Sequence, residues 1–127
     1  MRRKLAAVAA LVLGLIPLEA RSVGAAGCAP ADPTLAGHYE MHGVMEVGSE
    51  LLLKADGRFQ YMLAYGAMDE LASGCWARHS GVVTLYADKF EASMEDPLKF
   101  NRLDLSITSG GKLIRRFDAG HVGAYAR

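Results

Sequence analysis

The sequence predicts an all-β domain, an antiparallel meander of seven to eight short strands that closes into a small barrel. Two observations lead to this prediction. Apolar and polar residues alternate over several short runs, as in strands with one buried face. Turn residues rich in glycine separate these runs at close intervals, which is typical of consecutive hairpins. Closure removes the exposed edges of such a sheet, and an open sandwich is the alternative.

The first hairpin has a register that the sequence decides. A two-residue loop would place Phe59 opposite the polar Lys54, whereas a three-residue loop ending at Gly57 places Phe59 opposite Leu53. Only the second register gathers the large apolar residues on one face, because side chains alternate along a strand. Glycine at the third loop position adopts the positive φ that this turn requires. The predicted inner face comprises Leu51, Leu53, Phe59, Tyr61, Leu63 and Tyr65.

Shorter patterns predict the other strands. Residues 37–43 form a first strand, and residues 74–86 form a second hairpin whose two-residue loop places Trp76 opposite Leu85. Residues 121–126 add a last short strand. The stretch 66–73 is predicted to be a connection. The stretch 88–97 has no clear alternation, and a polar loop is favoured there over a single helical turn.

A third hairpin, around Ser109-Gly110-Gly111, has an open register. A three-residue loop pairs Leu103 with Phe117, and a two-residue loop pairs Ile107 with Ile114. Both registers place apolar residues together, so the sequence does not choose between them.

Length and charge limit the class of protein. The chain has 127 residues and a formal net charge of zero at pH 7. This length predicts one domain. Basic residues are scattered along the chain, which argues against nucleic acid as a partner.

Residues 1–26 have the features of a secretory signal peptide. A positively charged start precedes an apolar run that ends near Leu18 and is followed by small residues suited to cleavage. This run is shorter than a membrane span. We therefore expect a periplasmic or secreted protein with a single β-barrel-like domain over residues 27–127.

Two cysteines, Cys28 and Cys75, follow the signal, and an even number in an oxidising compartment predicts one disulfide. The alternative is that Ala25-Ala26-Gly27-Cys28 acts as a bacterial lipobox. Cys28 would then be acylated, and the protein would be an outer-membrane lipoprotein attached to the membrane. We favour the disulfide, because alanine stands where a lipobox usually has leucine.

Several motifs together resemble a known group of proteins: Gly37-x-Tyr39, Leu51-x-Leu53, Asp56-Gly57-x-Phe59, Gly74-x-Trp76 and Val83-x-Leu85. They resemble the small lipocalin-like β-barrels of bacterial envelopes, and are similar in outline to the N-terminal domain of the copper-homeostasis outer-membrane lipoproteins. Those lipoproteins carry a Cys-x-x-Cys pair between the first two strands, where this chain has no cysteine. The resemblance therefore implies a fold and not a redox or metal role.

Three side chains on one face of the first strand are candidate metal ligands: His38, Glu40 and His42. Imidazole and carboxylate suit zinc or copper. Neighbouring positions on a strand face are about 6.8 Å apart, so two of them can share an ion and all three cannot without a bend. The alternative is a solvated polar face.

Aromatic side chains at strand spacing suggest a small apolar ligand site. Tyr61, Tyr65 and Trp76 are its candidate lining residues, together with Tyr86. Arg78 shares a strand face with Trp76, and it either extends to the rim or places a charge in the barrel mouth. Core packing is the alternative for the aromatic residues.

The sequence lacks the signatures of an enzyme. It contains no Gly-x-Ser-x-Gly elbow, phosphate loop or His-Glu-x-x-His motif. Asp69 and Glu70 are predicted to lie in a turn, with Asp69 as its cap. We expect a non-enzymatic domain without a cofactor that binds a small apolar ligand or an envelope protein, with copper or zinc handling as the alternative.

Overall fold

A computed structural model describes residues 27–127 as a closed antiparallel barrel of eight strands, in which each strand pairs with the next and β1 pairs with β8. The predicted meander and its closure into a barrel are confirmed. The predicted signal peptide lies outside the described residues. The strands are β1 (Gly37–His42), β2 (Val47–Leu53), β3 (Arg58–Tyr65), β4 (Met68–His79), β5 (Val82–Ala92), β6 (Arg102–Ile107), β7 (Leu113–Asp118) and β8 (His121–Ala126).

The first hairpin has the predicted register. Leu53 pairs with Phe59, and the side chains of both are buried in the barrel. Gly57 has a φ of 87°, and its N–H donates to the Lys54 carbonyl over 3.1 Å. The three-residue loop is therefore confirmed, and it depends on a glycine that adopts a left-handed conformation.

The other hairpins agree with the patterns where these were clear. Trp76 pairs with Leu85, as predicted, and residues 121–126 form β8. In the third hairpin Ile107 pairs with Leu113, which is the register of the three-residue loop. The structure thus decides between the two registers that the sequence left open.

Residues 68–73 and 88–92, which belong to the two predicted connections, are strand instead. β4 begins at Met68, so the connection after β3 is a two-residue turn, and β5 continues to Ala92. The paired strands β4 and β5 are the longest of the barrel, because they extend beyond the predicted hairpin 74–86 toward the same end.

A β-bulge explains why the alternation of apolar and polar residues did not predict the second half of β5. Gly74 pairs with Ala87 but Ser73 pairs with Lys89, so β5 has one extra residue at this point. The apolar residues of β5 that pack on the core are therefore Val83, Leu85 and Ala87 before the bulge and Phe90 after it. This change of phase removes the simple alternation on which strand prediction depends.

The two ends of the barrel differ. At the end that we call lower, residues 28–36 lie across the barrel, and the carbonyl of the buried Leu35 accepts a hydrogen bond from the Tyr39 hydroxyl over 2.7 Å. At the upper end lie the turns 43–46, 66–67 and 119–120, together with the segment 93–101 between β5 and β6.

A disulfide joins Cys28 to Cys75, with 5.5 Å between the Cα atoms. It attaches the lower segment to β4. The predicted disulfide is therefore confirmed, and Cys28 has no thiol free for acylation. Such a bond indicates an oxidising, extracytoplasmic compartment.

Strand pairing is uneven around the barrel. β6 and β7 share two residue pairs, Ser106 with Ile114 and Ile107 with Leu113. β1 and β8 share three pairs, from Glu40 to His42 on β1. The ladders that join β2 to β3, β3 to β4 and β4 to β5 are much longer. The barrel therefore has one half with extensive strand pairing and two seams with few pairs, β6–β7 and β1–β8. Within residues 27–127, no helix has the length and apolar character needed to cross a membrane.

Candidate functional site

The five residues predicted for the ligand site occupy three separate places, and Tyr86, 40% exposed, lies with Trp76 and Arg78 beside one cleft. Tyr61 points into the barrel and is buried, whereas Tyr65 is half exposed at the upper end. Trp76 is buried near the lower end, where its indole N–H donates to the Lys54 carbonyl over 2.8 Å. Arg78 also lies at the lower end. The structure therefore does not gather them around one pocket.

Arg78 is held at the lower rim by an ion pair. Its guanidinium donates to Asp32 Oδ2 over 2.8 Å and to the Ser80 carbonyl over 2.9 Å. Hydrogen bonds from Thr34 and from Arg78 lower the pKa of Asp32 to about 2. A cleft of about 410 Å³ beside this pair is lined by Trp76, Arg78 and the segment 29–32. Because the guanidinium of Arg78 is paired with Asp32, the Arg78 side chain extends to the rim and does not enter the barrel.

A larger groove, which we call the upper groove, runs between the β3–β4 turn and the segment 93–101. Its volume is about 870 Å³. The turn contributes Tyr65 and Met68, and the segment contributes Met94, Pro97 and Leu98. Most of its wall is apolar.

Exposed apolar side chains and two carboxylates surround the upper groove. Tyr65 and Met94 are about half exposed, and Met45 on the neighbouring turn is 88% exposed. Glu46 and Glu95 lie among the groove's lining residues. An apolar surface with a polar rim is typical of an interaction site.

A polar cluster lies inside the barrel. The Tyr61 hydroxyl donates to Glu70 Oε1 over 2.7 Å and accepts from Arg115 Nη1 over 2.7 Å. Glu70 is 1% exposed and Arg115 3%. The guanidinium also lies 4.3 Å from the centroid of the Phe117 ring. A buried carboxyl, phenol and guanidinium thus form one chain of hydrogen bonds.

Burial and a second carboxyl perturb the cluster. Desolvation by burial, and then a hydrogen bond with Asp96, raise the pKa of Glu70 from 4.5 to about 7, although Tyr61 and Arg115 act in the opposite direction. Desolvation also raises the pKa of the Tyr61 hydroxyl far above its ordinary value. Among the described residues, Glu70 Oε2 and Asp96 Oδ2 are buried side-chain oxygens without an N–H or O–H partner.

A second hydrogen-bonded pair lies on the neighbouring strands. Ser49 donates to the Met62 carbonyl over 2.6 Å, and 2.7 Å separate its hydroxyl from that of Tyr125. Burial raises the pKa of Tyr125, and Arg115 opposes this rise. The interior of the barrel is therefore polar in one region and apolar elsewhere.

The prediction for Asp69 and Glu70 was wrong, because both lie in β4 and not in a turn. Asp69 is exposed and Glu70 is buried, as the alternation of a strand requires. Arg115 was also missed, although a signal existed. It stands two residues from both Leu113 and Phe117 on a predicted strand, so it shares their face.

The candidate metal ligands are only partly brought together. Donor atoms of His38, Glu40 and Glu50 all lie within 4.8 Å of one another, and all three side chains are exposed. His38 Nε2 is 3.2 Å from Glu50 Oε1. Glu50 belongs to β2 and pairs with Glu40, whereas His42 pairs with Ala124 of β8 and is outside the group.

Comparisons of the chain with models of protein families, with curated proteins and with solved structures find no significant match. The barrel agrees with the fold that the resemblance to envelope lipocalin-like proteins implies. A shared fold does not by itself assign a function.

Proposed function

We propose that this protein is a non-enzymatic binding protein, periplasmic or secreted, that holds a small amphiphilic ligand in the upper groove. The ligand has an apolar body and a positively charged group. The observation that carries the proposal is the groove itself, with an apolar wall and two carboxylates among its lining residues. The disulfide supports the extracytoplasmic location.

The size and surface of the groove suit a small molecule. A volume of about 870 Å³ lies within the range of ligand sites, which are mostly apolar with a few polar groups that orient the ligand. Met68, Met94 and Leu98 supply adaptable apolar contacts. Met94 is 49% exposed and Leu98 is partly buried, and this exposed apolar surface costs hydration free energy that a bound apolar body would recover.

Charge selects the polar group of the ligand. Glu46 and Glu95 line the groove, and none of its described lining residues is basic. An anionic head group would be repelled here, and a cationic one attracted. Both carboxylates belong to exposed residues, so each contributes modestly and adds selectivity more than affinity.

The position of the polar cluster supports binding without catalysis. Glu70 is 1% exposed, and its neighbours Tyr61 and Arg115 are also buried. A general acid or base must come within hydrogen-bonding distance of the group that it protonates or deprotonates. Glu70, Tyr61 and Arg115 are not among the lining residues of the upper groove, so the proposed ligand has no contact with them.

Methionine methyl NMR tests the site directly. The protein is titrated with dodecyltrimethylammonium, with dodecyl sulfate and with a neutral dodecyl maltoside, each below its micelle concentration. We expect the ammonium compound to shift the methyl signals of Met68 and Met94 at the lowest concentration. Met41 is buried and Met62 lies outside the groove, so their signals serve as internal controls.

Matched variants locate the ligand. Met94→Ala should weaken binding of the ammonium compound about tenfold, as expected for the loss of roughly two buried methylene groups. Glu95→Gln should weaken it about two- to fivefold and reduce the preference for the cation. Leu71→Ala is the control, because Leu71 is 58% exposed and does not line the groove. Equal binding of the three detergents, or an equal effect of Leu71→Ala, would refute the proposal.

A second candidate function is metal binding on the outer wall. The observation that favours it is the approach of His38, Glu40 and Glu50 within 4.8 Å. One imidazole and two carboxylates leave a fourth position of zinc open to water. Calorimetric titration with zinc should show one site that His38→Ala and Glu50→Gln abolish, while His42→Ala leaves it intact. Retention of zinc by His38→Ala would exclude this site.

A further inference from the structure

We propose that Glu70 and Asp96 share one proton, and that this proton fastens the segment 93–101 to the barrel. Loss of the proton then loosens the segment. The fastening itself does not depend on the proposed ligand.

The geometry leaves two oxygens for this proton. Glu70 Oε1 accepts from the Tyr61 hydroxyl, and Asp96 Oδ1 accepts from the Leu98 N–H over 2.8 Å. The remaining oxygens, Glu70 Oε2 and Asp96 Oδ2, are buried without a donor from the described residues. A side-chain hydrogen bond with Asp96 is among the causes that raise the pKa of Glu70, which places the two carboxyl groups next to each other. Two carboxylates in this position repel each other, whereas a carboxyl and a carboxylate form a strong hydrogen bond.

The charges around Glu70 agree with one shared proton. Tyr61 faces it from β3, Arg115 from β7, Tyr125 from β8 and Asp96 from the segment. The residue of β5 that pairs with Glu70 is the uncharged Ala92. Arg115 neutralises one of the two carboxylates, and the phenols are neutral, so one proton makes this buried group electrically neutral.

The shared proton acts at the middle of a segment that other contacts hold at its ends. At the start, the Ser93 N–H donates to the Asp69 carbonyl over 2.9 Å. At the other end Phe100 is buried, with its ring 5.2 Å from those of Tyr61 and Phe90. Deprotonation therefore releases the part around Asp96 and leaves the ends attached.

The pH range of release follows from the pKa of Glu70, which is about 7 in the closed protein. Once the segment moves away and water enters, the pKa returns toward its ordinary value of 4.5. The closed form thus binds the proton more tightly. Opening increases as pH rises from about 4.5 to about 7 and is constant above this range, with a ceiling of about 300-fold.

Hydrogen exchange tests the release. Amide exchange over residues 93–101, corrected for the intrinsic effect of pH, is measured at pH 5 and pH 7.5 on the whole protein. We expect opening to increase at least tenfold between these values. In Glu70→Gln the amide replaces the protonated carboxyl, so the increase should disappear. Asp69→Asn is the control, because Asp69 is the exposed neighbour on the same strand, and this variant should retain the increase.

A measurement on the wild-type protein tests the proposal even if Glu70→Gln does not fold. The carboxyl carbon of Glu70, followed by NMR, should titrate near pH 7, and Asp96→Asn should move this midpoint downward. A Glu70 midpoint below 5, or exchange that does not change with pH, would overturn the proposal.

The effect on the ligand rests on the proposed function, because Met94, Glu95, Pro97 and Leu98 line the upper groove. Affinity for dodecyltrimethylammonium should fall from pH 5 to pH 7.5 in the wild type and change much less in Glu70→Gln. Absence of any binding would refute the proposed function alone, since the exchange experiment contains no ligand. Binding with an equal pH dependence in both proteins would refute the coupling.

Discussion

Replacement of Gly57 by alanine should destabilise the β2–β3 turn in two ways, through its backbone conformation and through a steric overlap. Gly57 has a φ of 87°, and a Cβ at this position would overlap the carbonyl oxygen of Ala29. The left-handed conformation costs about 1–2 kcal/mol for alanine. The overlap displaces the lower segment and weakens the hydrogen bond from the Ala31 N–H to the Ala55 carbonyl, worth about 1 kcal/mol. We expect the free energy of unfolding to fall by about 2–3 kcal/mol.

Gly66 provides the matched control for this experiment. Its φ is 57°, and a Cβ there would have no atom within 4 Å. Gly66→Ala should therefore show the conformational cost alone, about 1–2 kcal/mol. Urea unfolding monitored by circular dichroism measures both variants. Equal losses in the two variants would refute the contact between the β2–β3 turn and the lower segment.

Three further changes test the core, the disulfide and the buried carboxyl. Trp76→Ala should lower the free energy of unfolding by about 3–5 kcal/mol in urea, because it leaves a cavity and removes one of the two donors to the Lys54 carbonyl; a loss under 1 kcal/mol would contradict the burial of the ring. Reduction of the Cys28–Cys75 bond, which spans 47 positions, should cost about 4 kcal/mol, and a melting temperature unchanged by dithiothreitol would contradict this. Because the pKa of Glu70 rises from 4.5 to about 7 on folding, its contribution is complete below pH 4.5 and is lost as pH rises to 7, by up to about 3 kcal/mol; a stability profile with the same slope in Glu70→Gln would contradict it.

Sequence reasoning succeeded where local chemistry allowed one solution. The β2–β3 register followed from Gly57 and from the apolar face that only one loop length creates. The pairing of Trp76 with Leu85 followed from the two-residue turn between their strands. The register of the third hairpin could not be predicted, because its three candidate loop residues include two glycines and either register buries apolar side chains.

The upper half of β4 and β5 could not be predicted in the same way. A bulge opposite Ser73 and Gly74 interrupts the alternation, and its position depends on the pairing of two strands. Glu70 also violates the expected pattern, since a charged residue occupies an inner position. Its partners Tyr61 and Arg115 belong to other strands, so only the closed barrel brings the three together.

The candidate sites were likewise predictable where they depend on one strand, and not where they depend on several elements. The candidate metal ligands His38 and Glu40 share a strand face and could be predicted from the sequence, but Glu50 approaches them from the neighbouring strand. The upper groove is formed by a turn and by an irregular segment, whose conformations periodicity does not describe.

The short β1–β8 seam has a consequence for the order of folding. β2 to β5 form three consecutive hairpins whose contacts are local in sequence, so they can assemble early. The three pairs between β1 and β8 join strands from opposite ends of the barrel sequence, and this closure carries the largest loop entropy. We expect closure to follow the rate-limiting step. Shortening Tyr125, which pairs with Met41 in this seam, should accelerate unfolding and leave the folding rate nearly unchanged.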